Sequence, residues 1–182
     1  MMRVMLVSQS KGMTLTEMMV VLGIIATLLG IGTVGLKALK ANYDLVNATN
    51  QLYANLEWVR QQSMGGSYQF GIQFQPWYDD NGVAHNTPDG YNVIVDRNNN
   101  GVYDPGQAPP NREEIRTVDL RGKNVTLAVS PNTNTLWYTR RGTPRGTPTQ
   151  LFTITLTTPY SNPTRNVNTK RITVSMFKIR IK

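Results

Sequence analysis

The 182-residue chain lacks cysteine altogether and contains one histidine, His85. Without cysteine, disulfide bonds, thiolate nucleophiles and cysteine metal sites are excluded. One histidine is too few for a histidine metal cluster, and its position beside Asn86 and Pro88 is typical of a surface loop. The sequence also contains no recognisable nucleophile–base pair and no phosphate-binding loop, so we predict that the protein is not an enzyme.

Acidic side chains are missing from the last third of the chain. Residues 121–182 carry 11 basic and no acidic side chains, whereas residues 41–120 carry 4 basic and 10 acidic ones. Residues 1–40 carry 4 basic side chains and 1 acidic side chain, which brings the formal net charge to +8. This polarity indicates charge-complementary neighbours or a polyanionic partner. The alternative is a basic face that contacts only solvent.

Charged residues are also absent from Met18 to Leu36. These 19 residues would form a helix ~28 Å long at ~1.5 Å per residue, close to the ~30 Å hydrocarbon core of a bilayer. We therefore predict that they span a membrane. Arg3 and Lys11 precede the segment, which by the positive-inside rule puts the amino terminus in the cytoplasm and the later residues on the other side.

A short basic leader, residues 1–12, comes before this apolar segment and ends in Gly12, which is followed by Met13-Thr14-Leu15-Thr16-Glu17. In an ordinary secretory signal the apolar stretch precedes the cleavage site, so the order here is reversed. The arrangement resembles the amino terminus of type IV pilins and pseudopilins, although phenylalanine is usual where Met13 stands. The resemblance implies that a prepilin peptidase cuts after Gly12 and methylates the new amino terminus at Met13.

Under this interpretation Glu17 is the fifth residue of the mature chain. A carboxylate next to a long uncharged segment is costly near lipid, and ionisable residues in such places are usually functional. The family resemblance implies that Glu17 pairs with the α-amino group of a neighbouring subunit during assembly. The alternative is a carboxylate at the membrane interface with no role in assembly.

The same helix is predicted to continue beyond Leu36, because no strong breaker occurs before Gly65-Gly66. A helix from Thr14 to Met64 would be ~75 Å long, which is far more than a membrane needs. Its second half is amphipathic and is predicted to pack on the rest of the protein. The predicted core stripe consists of Leu39, Tyr43, Val46, Tyr53 and Leu56, bordered by Leu45, Leu52 and Val59.

After Gly66 the apolar spacing changes to alternation, which predicts strands separated by turns. We therefore predict an α+β fold, in which a long N-terminal helix packs on an antiparallel β-sheet head, as in pilins. The predicted segments are the leader 1–12, the transmembrane and assembly half of the helix 13–36, its amphipathic half 37–64 and the β-rich head 65–182. The candidate strands are Tyr68–Phe74, Tyr91–Asp96, Glu114–Leu120, Asn124–Val129, Thr135–Thr139, Leu151–Thr157 and Arg171–Ile181.

Three later segments resemble the carboxy-terminal region of FimT/GspH-type minor pilins: 136–144, 151–156 and 170–175. That family usually closes with a Gly-Arg-apolar-Arg-apolar tail. Residues 177–182 keep the alternation of basic and apolar side chains but lack the glycine. Along the last candidate strand the apolar side chains change face between Met176 and Phe177, so we predict a bulge or tight turn near Ser175–Phe177.

Residues 96–104, Asp-Arg-Asn-Asn-Asn-Gly-Val-Tyr-Asp, fit the first half of a calcium-binding loop with glycine at position six. Oxygen ligands at positions one, three, five and nine would come from Asp96, Asn98, Asn100 and Asp104. Position twelve is Gln107 rather than the bidentate glutamate, so the affinity for Ca²⁺ would be weak. The alternative is an Asn/Gly-rich turn without metal, and no cofactor other than calcium is expected.

The basic last third is also a candidate DNA-binding region, because lysine and arginine release counterions from phosphates. Some members of the resembled family capture DNA with a basic tail. The positions that match that tail here are Lys178, Arg180 and Lys182. A second candidate group, in a Gly/Pro-rich stretch, consists of Arg140, Arg141 and Arg145. The alternative is that these side chains pack against acidic neighbours.

The sequence therefore predicts a minor type IV pilin, a structural subunit that primes assembly at the filament tip or modifies the filament. The alternatives are a minor pseudopilin of a type II secretion system and a pilus-borne receptor for DNA uptake. The expected partners are other pilin or pseudopilin subunits, a prepilin peptidase, the inner membrane and, for the receptor, DNA. The expected location is a single pass through the inner membrane with a periplasmic head, followed by assembly into a pilus or pseudopilus.

Overall fold

A computed structural model describes residues 12–106, 112–123, 125–131, 133–145, 151–159, 169–175 and 178–182, with only the backbone for residues 31–35. The described residues form one long helix, α1, and ten strands. The helix is Leu15–Gly65, and the strands are β1 (Gln69–Gln73), β2 (Trp77–Tyr78), β3 (Ala84–His85), β4 (Gly90–Asp96), β5 (Glu114–Asp119), β6 (Thr126–Ser130), β7 (Thr135–Tyr138), β8 (Phe152–Thr157), β9 (Thr169–Val174) and β10 (Ile179–Ile181).

The strands form two four-stranded antiparallel sheets and one small hairpin. Sheet 1 has the order β5-β4-β1-β7, sheet 2 has the order β10-β9-β8-β6, and β2 pairs with β3. A long helix on antiparallel sheets confirms the predicted α+β fold. By its internal contacts the chain divides into Met1–Lys37, here called the anchor segment, and Ala38–Lys182, here called the head.

The anchor segment exposes large apolar side chains on every side of its helix. The exposed ones are Leu15, Met18, Met19, Val20, Val21, Leu22, Ile24, Ile25, Leu28, Leu29 and Leu36. Among the residues with described side chains, no helical stretch combines the length and the hydropathy that a membrane crossing requires. The membrane span remains a prediction.

In the head, the buried face of α1 differs from the predicted stripe. The buried apolar residues are Ala41, Leu45, Ala48, Leu52, Leu56 and Val59. Leu39 and Tyr43 are each 66% exposed, and Val46 is 37% exposed, so the assignment of these three to the core is wrong. The prediction gave weight to large apolar side chains. Ala41 and Ala48 are buried instead, because small side chains let the helix backbone approach the sheets closely.

Polar side chains on this buried face are satisfied by nearby hydrogen bonds, which explains why they are tolerated there. The Thr49 hydroxyl donates to the Leu45 carbonyl (2.7 Å), and the Ser63 hydroxyl donates to the Val59 carbonyl (2.9 Å). Asn55 donates to the Tyr91 hydroxyl (2.9 Å) and accepts from Arg116 of β5 (2.7 Å). Asn55 thereby ties the helix to two strands of sheet 1.

One hydrophobic core joins α1 to the inner faces of both sheets. Sheet 1 contributes Ile72, Phe74, Tyr91, Val93, Val118, Leu136 and Tyr138 to this core. Sheet 2 contributes Leu127, Phe152, Ile154, Leu156, Ile172, Val174 and Ile179. The alternation along β8, in which every second residue is buried, is the pattern expected of a strand with one face on the core.

The outer face of sheet 1 carries an additional layer that includes the β2–β3 hairpin. The Trp77 indole is fully buried and donates to the Thr87 carbonyl (3.1 Å). His85 was predicted to lie in a surface loop, but it lies in β3, half-buried, with its ring stacked on Trp77 at 4.5 Å. The His85 Nε2 atom lies 3.0 Å from Asp79 Oδ2, and this hydrogen bond lowers the pKa of the Asp79 carboxyl.

Gly90 makes room for Trp77, because a Cβ atom at residue 90 would overlap the indole ring. We expect Gly90→Ala to lower the free energy of unfolding by about 1–3 kcal/mol, the usual cost of overpacking, measured by urea denaturation. Gly65→Ala is the matched control, since a Cβ there meets no atom within 4 Å. If Gly90→Ala unfolded at the same urea concentration as the native chain, the hairpin layer would accommodate the added Cβ without loss of stability.

The last candidate strand, Arg171–Ile181, is two strands rather than one. Strand β10 folds back on β9, with Ile179 opposite Val174 and Ile181 opposite Ile172. The chain reverses between Ser175 and Lys178, where the Ser175 amide donates to the Lys178 carbonyl (2.9 Å). Met176 and Phe177 lie outside the described residues. Ile172, Val174 and Ile179 are buried, whereas Ile181 is 41% exposed.

Candidate functional site

The start of α1 is a capping box formed by Thr14 and Glu17. The Glu17 amide donates to the Thr14 hydroxyl (3.3 Å), while Glu17 Oε2 accepts from the Thr14 amide (2.9 Å) and hydroxyl (3.0 Å). Threonine caps well because its oxygen satisfies an amide that has no partner within the helix. Gly12 and Met13 precede this box and are exposed. The predicted cleavage position is therefore close in sequence to the Glu17 carboxylate.

The four candidate ligands of the predicted calcium loop lie close together, and hydrogen bonds within the loop join them into a turn. Buried Asp96 accepts from the backbone amides of Asn100 (3.1 Å) and Gly101 (2.7 Å). The side-chain amides of Asn98 and Asn100 donate to Asp104 Oδ2 at 2.7 and 2.9 Å. Gly101 has a φ of 76°, the left-handed conformation that favours glycine.

The oxygens that would bind calcium accept hydrogen bonds from the turn itself. Asn98 Oδ1 accepts from the Asn100 amide (3.0 Å), and Asn100 Oδ1 accepts from the Val102 amide (2.7 Å). Among the described residues, no group of three or more histidine, cysteine, aspartate or glutamate side chains is placed to hold a metal ion. Calcium binding at this loop stays a prediction.

Glu113 closes the same loop and was not predicted as a site residue. Its carboxylate accepts from the Asp104 amide (2.7 Å) and from the Arg97 amide (3.3 Å). Glu113 is buried, and this burial raises the pKa of its carboxyl group. Its bonding partners are backbone groups distant along the chain, so no short sequence motif marks it.

The first group of candidate DNA-binding arginines is placed by contacts around sheet 1. Arg140 donates to the Ser67 carbonyl (2.9 Å), just after the end of α1. Arg141 is exposed in the turn after β7, where its amide contacts the Thr139 hydroxyl (3.4 Å). The Arg145 guanidinium lies against Gly101 of the asparagine-rich loop.

The second group lies on the edge of sheet 2. Lys178, Arg180 and Lys182 are all exposed and alternate along β10 and its flanks. Residues 178–182 and Tyr53 of α1 line an open groove of about 500 Å³. Tyr53 is ~18 Å along the helix axis from Gly65, so the groove lies far along α1 from the helix end, next to which Arg140 bonds Ser67.

Comparison with protein-family models identifies two regions of the chain. The model "Prokaryotic N-terminal methylation motif" matches residues 7–33, which include Gly12, Met13 and Glu17. The model "Type II transport protein GspH" matches residues 48–176, more than half of the chain. The chain belongs to the GspH family. The predicted resemblance to type IV pilins and pseudopilins, and to FimT/GspH-type minor pilins in particular, is confirmed.

Comparison with solved structures finds two that resemble this chain. The type IV minor pilin FimU of Pseudomonas aeruginosa strain PAO1 has a TM-score of 0.52 and 17% identity, over 77% of this chain and 89% of that one. The minor pseudopilin EpsH from the type 2 secretion system of Vibrio cholerae has a TM-score of 0.49 and 11% identity, over 76% and 96%. No curated protein sequence matches the chain. At this identity, the likeness to FimU shows the fold alone.

Membership of the GspH family sets the general role of the chain. The family is a structural pilin and pseudopilin family, and the methylation motif implies processing by a prepilin peptidase and assembly with other pilin or pseudopilin subunits.

The two sheets of this GspH-family chain differ in charge, because acidic and basic side chains are mixed around sheet 1, whereas sheet 2 carries only basic ones. The carboxylates on sheet 1 and its outer layer are Asp79, Asp80, Asp89, Asp96, Asp104, Glu113, Glu114 and Asp119. Sheet 2 has none, because residues 121–182 contain no acidic side chain. Around sheet 1 these carboxylates lie among arginines, whereas no carboxylate accompanies the basic side chains of sheet 2. The arginines around sheet 1 are Arg97, Arg112, Arg116, Arg140, Arg141 and Arg145.

Proposed function

We propose that the chain is a minor type IV pilin, a structural subunit without catalytic activity that primes filament assembly at the tip or modifies the filament. The observation that carries this proposal is a helix with exposed apolar side chains on all sides, beginning at the Glu17 capping box. A helix that is apolar all round must be covered by lipid or by other protein. Lipid covers it before assembly, and the helices of other subunits cover it in the filament.

The head contributes a second apolar stripe that supports the same proposal. Leu39, Tyr43 and Val46 are exposed on α1, and their spacing of four and three residues is that of a helix–helix seam. The opposite face of this helix is already buried in the core of the head. The exposed stripe would therefore pack against a neighbouring subunit.

The experiment that tests this function is recovery of the chain in filaments sheared from cells that make the other pilins and the peptidase. Loss of surface filaments on deletion, with normal protein secretion, supports the pilin. Loss of secretion with normal filaments supports the alternative, a minor pseudopilin of a type II secretion system. If deletion of the chain caused neither defect, both assignments would be contradicted.

A second candidate function is DNA capture, and the observation that favours it is the exposed basic edge of sheet 2. Lys178, Arg180 and Lys182 project from a sheet whose strands carry no acidic side chain. Three phosphate contacts give weak binding whose affinity falls steeply with salt, because each contact releases about one counterion.

We expect the full chain in neutral detergent to retard double-stranded DNA at low salt and to lose this binding near physiological salt. Reversal of all three basic residues of the edge to glutamate should abolish the retardation, because the phosphate contacts are lost. The strand should stay folded, since Ile179 still holds it in the core. Reversal of Arg140, Arg141 and Arg145 is the matched control. Binding lost only in the control variant would assign DNA to that group, and no retardation at low salt would exclude the receptor function.

A further inference from the structure

Among the described residues, strand β10 has a row of backbone hydrogen-bonding groups without a strand partner in sheet 2. Lys182 and Arg171 exchange both backbone hydrogen bonds (2.8 and 3.0 Å), and Ser175 bonds Lys178 (2.9 Å). Because bonded and non-bonded pairs alternate in an antiparallel ladder, Ile179 and Ile181 direct their amides and carbonyls away from β9. The sheet order ends at β10, so these groups face outward.

The space beside this edge suits a strand with apolar side chains on one face. The groove of about 500 Å³ runs between residues 178–182 and Tyr53 of α1. Ile181 is 41% exposed, and Tyr53, which packs against the core, is only partly buried. An added strand would cover both side chains and extend the apolar inner face of sheet 2.

The other face of the edge selects for negative charge. Lys178, Arg180 and Lys182 alternate with the isoleucines, and side chains that alternate along a strand share a face. Arg171 lies opposite Lys182, next to this row. Sheet 2 supplies no carboxylate to neutralise these charges.

We propose that β10 is a docking edge for an extended segment of another subunit in which acidic and apolar side chains alternate. The segment adds to sheet 2 as a fifth strand, with its amides and carbonyls bonded to Ile179 and Ile181. Its acidic side chains face Lys178, Arg180 and Lys182, and its apolar side chains cover Ile181 and Tyr53. The docking edge rests on the proposed function, because it is a contact between this chain and another subunit of the filament.

Pairing between the β10 strands of two copies does not fit this edge. Such a pair would bring like-charged side chains opposite each other across the strands, which is unfavourable. Charged side chains on an edge are a common means of preventing pairing with identical edges. Here they exclude the identical strand while they favour an acidic one.

The test uses the full chain in neutral detergent and a fluorescent nine-residue peptide in which glutamate and valine alternate. We expect saturable binding by fluorescence anisotropy, and none with a peptide in which lysine replaces glutamate. Hydrogen exchange provides the specific readout. Docking should slow exchange of the Ile179 and Ile181 amides, whereas the Arg180 amide, which faces β9, should change little.

Two variants separate strand addition from simple charge attraction. Ile181→Pro removes one outward backbone amide that sheet 2 does not use, and edge strands tolerate such a substitution. It should lower the affinity for the glutamate peptide about ten-fold. Ile181→Val is its matched control and should bind as the native chain does. Reversal of the three basic residues to glutamate should transfer binding to the lysine peptide. Circular dichroism and the unfolding midpoint verify that each variant is folded.

Several outcomes would overturn the proposal. They are no binding of the glutamate peptide to the native chain, binding without protection of Ile179 and Ile181, and equal binding to folded Ile181→Pro. Because Ile181→Pro keeps all three basic side chains, DNA retardation should survive this substitution. DNA binding together with no peptide binding would assign the edge to nucleic acid instead, while the proposed filament role would still be judged by recovery in sheared filaments.

Discussion

The chain carrying Gly12→Val should keep its full mass when it is produced together with a prepilin peptidase, whereas the native chain should lose residues 1–12. The reason is that the enzyme must approach the backbone closely at the cleavage position, and only glycine offers a backbone without a Cβ. A Cβ at Gly12 meets no atom of this chain within 4 Å. The substitution therefore leaves the folded chain unstrained, and its effect arises in the peptidase.

Mass spectrometry of the purified chains measures this result directly. Gly12→Ala tests the smallest added side chain, and Gly23→Ala is the matched control, because a Cβ at that helical glycine also meets nothing within 4 Å. The control should be processed like the native chain. If the native chain itself shows no loss of mass, the processing implied by the methylation motif does not take place.

Replacement of Glu17 by valine should leave membrane insertion intact and remove most of the chain from sheared filaments. Valine does not interrupt the apolar helix, but it cannot pair with the amino group of a neighbouring subunit. It also removes the two hydrogen bonds of the capping box that the Glu17 carboxylate accepts from Thr14, while the amide of residue 17 can still donate to the Thr14 hydroxyl. The single substitution therefore removes two interactions at once.

Glu17→Gln and Thr14→Ala separate the charge from the cap. Glutamine still accepts the hydrogen bonds of a capping box but carries no charge, whereas Thr14→Ala keeps the charge and removes the hydroxyl. Incorporation should fail for Glu17→Gln and persist for Thr14→Ala, measured by immunoblot of membrane and filament fractions. The reverse pattern would mean that the carboxylate serves only its own helix.

The amino-terminal half of the chain was predictable because its signals are local. Charge-free length, a basic leader and the spacing from Gly12 to Glu17 can be counted in the sequence, and the methylation motif matches the same residues. The capping box is equally local, since Thr14 and Glu17 are three positions apart. The change from helical spacing to alternation likewise predicted the helix and sheets of the fold.

The buried face of α1 was not predictable from the pattern of large apolar residues. Tyr43 and Ala48 show the difficulty, because the large residue is exposed and the small one is buried. Which side of a helix is buried depends on how closely the sheets approach it, and the sequence of the helix does not contain that distance. Asn55 likewise enters the core only because Tyr91 and Arg116 meet it there.

The sequence by itself determined the helix, the alternation of the strands, the family and the charge of each segment, since these depend on neighbouring residues. Only the tertiary structure decided where that charge acts. It brought Arg145 to Gly101, Arg140 to Ser67, and Lys178, Arg180 and Lys182 to an edge of sheet 2 beside Tyr53. The physical reason is that strand reversals such as Ser175–Lys178 and long-range packing set the distances between segments, and these are properties of the whole folded chain.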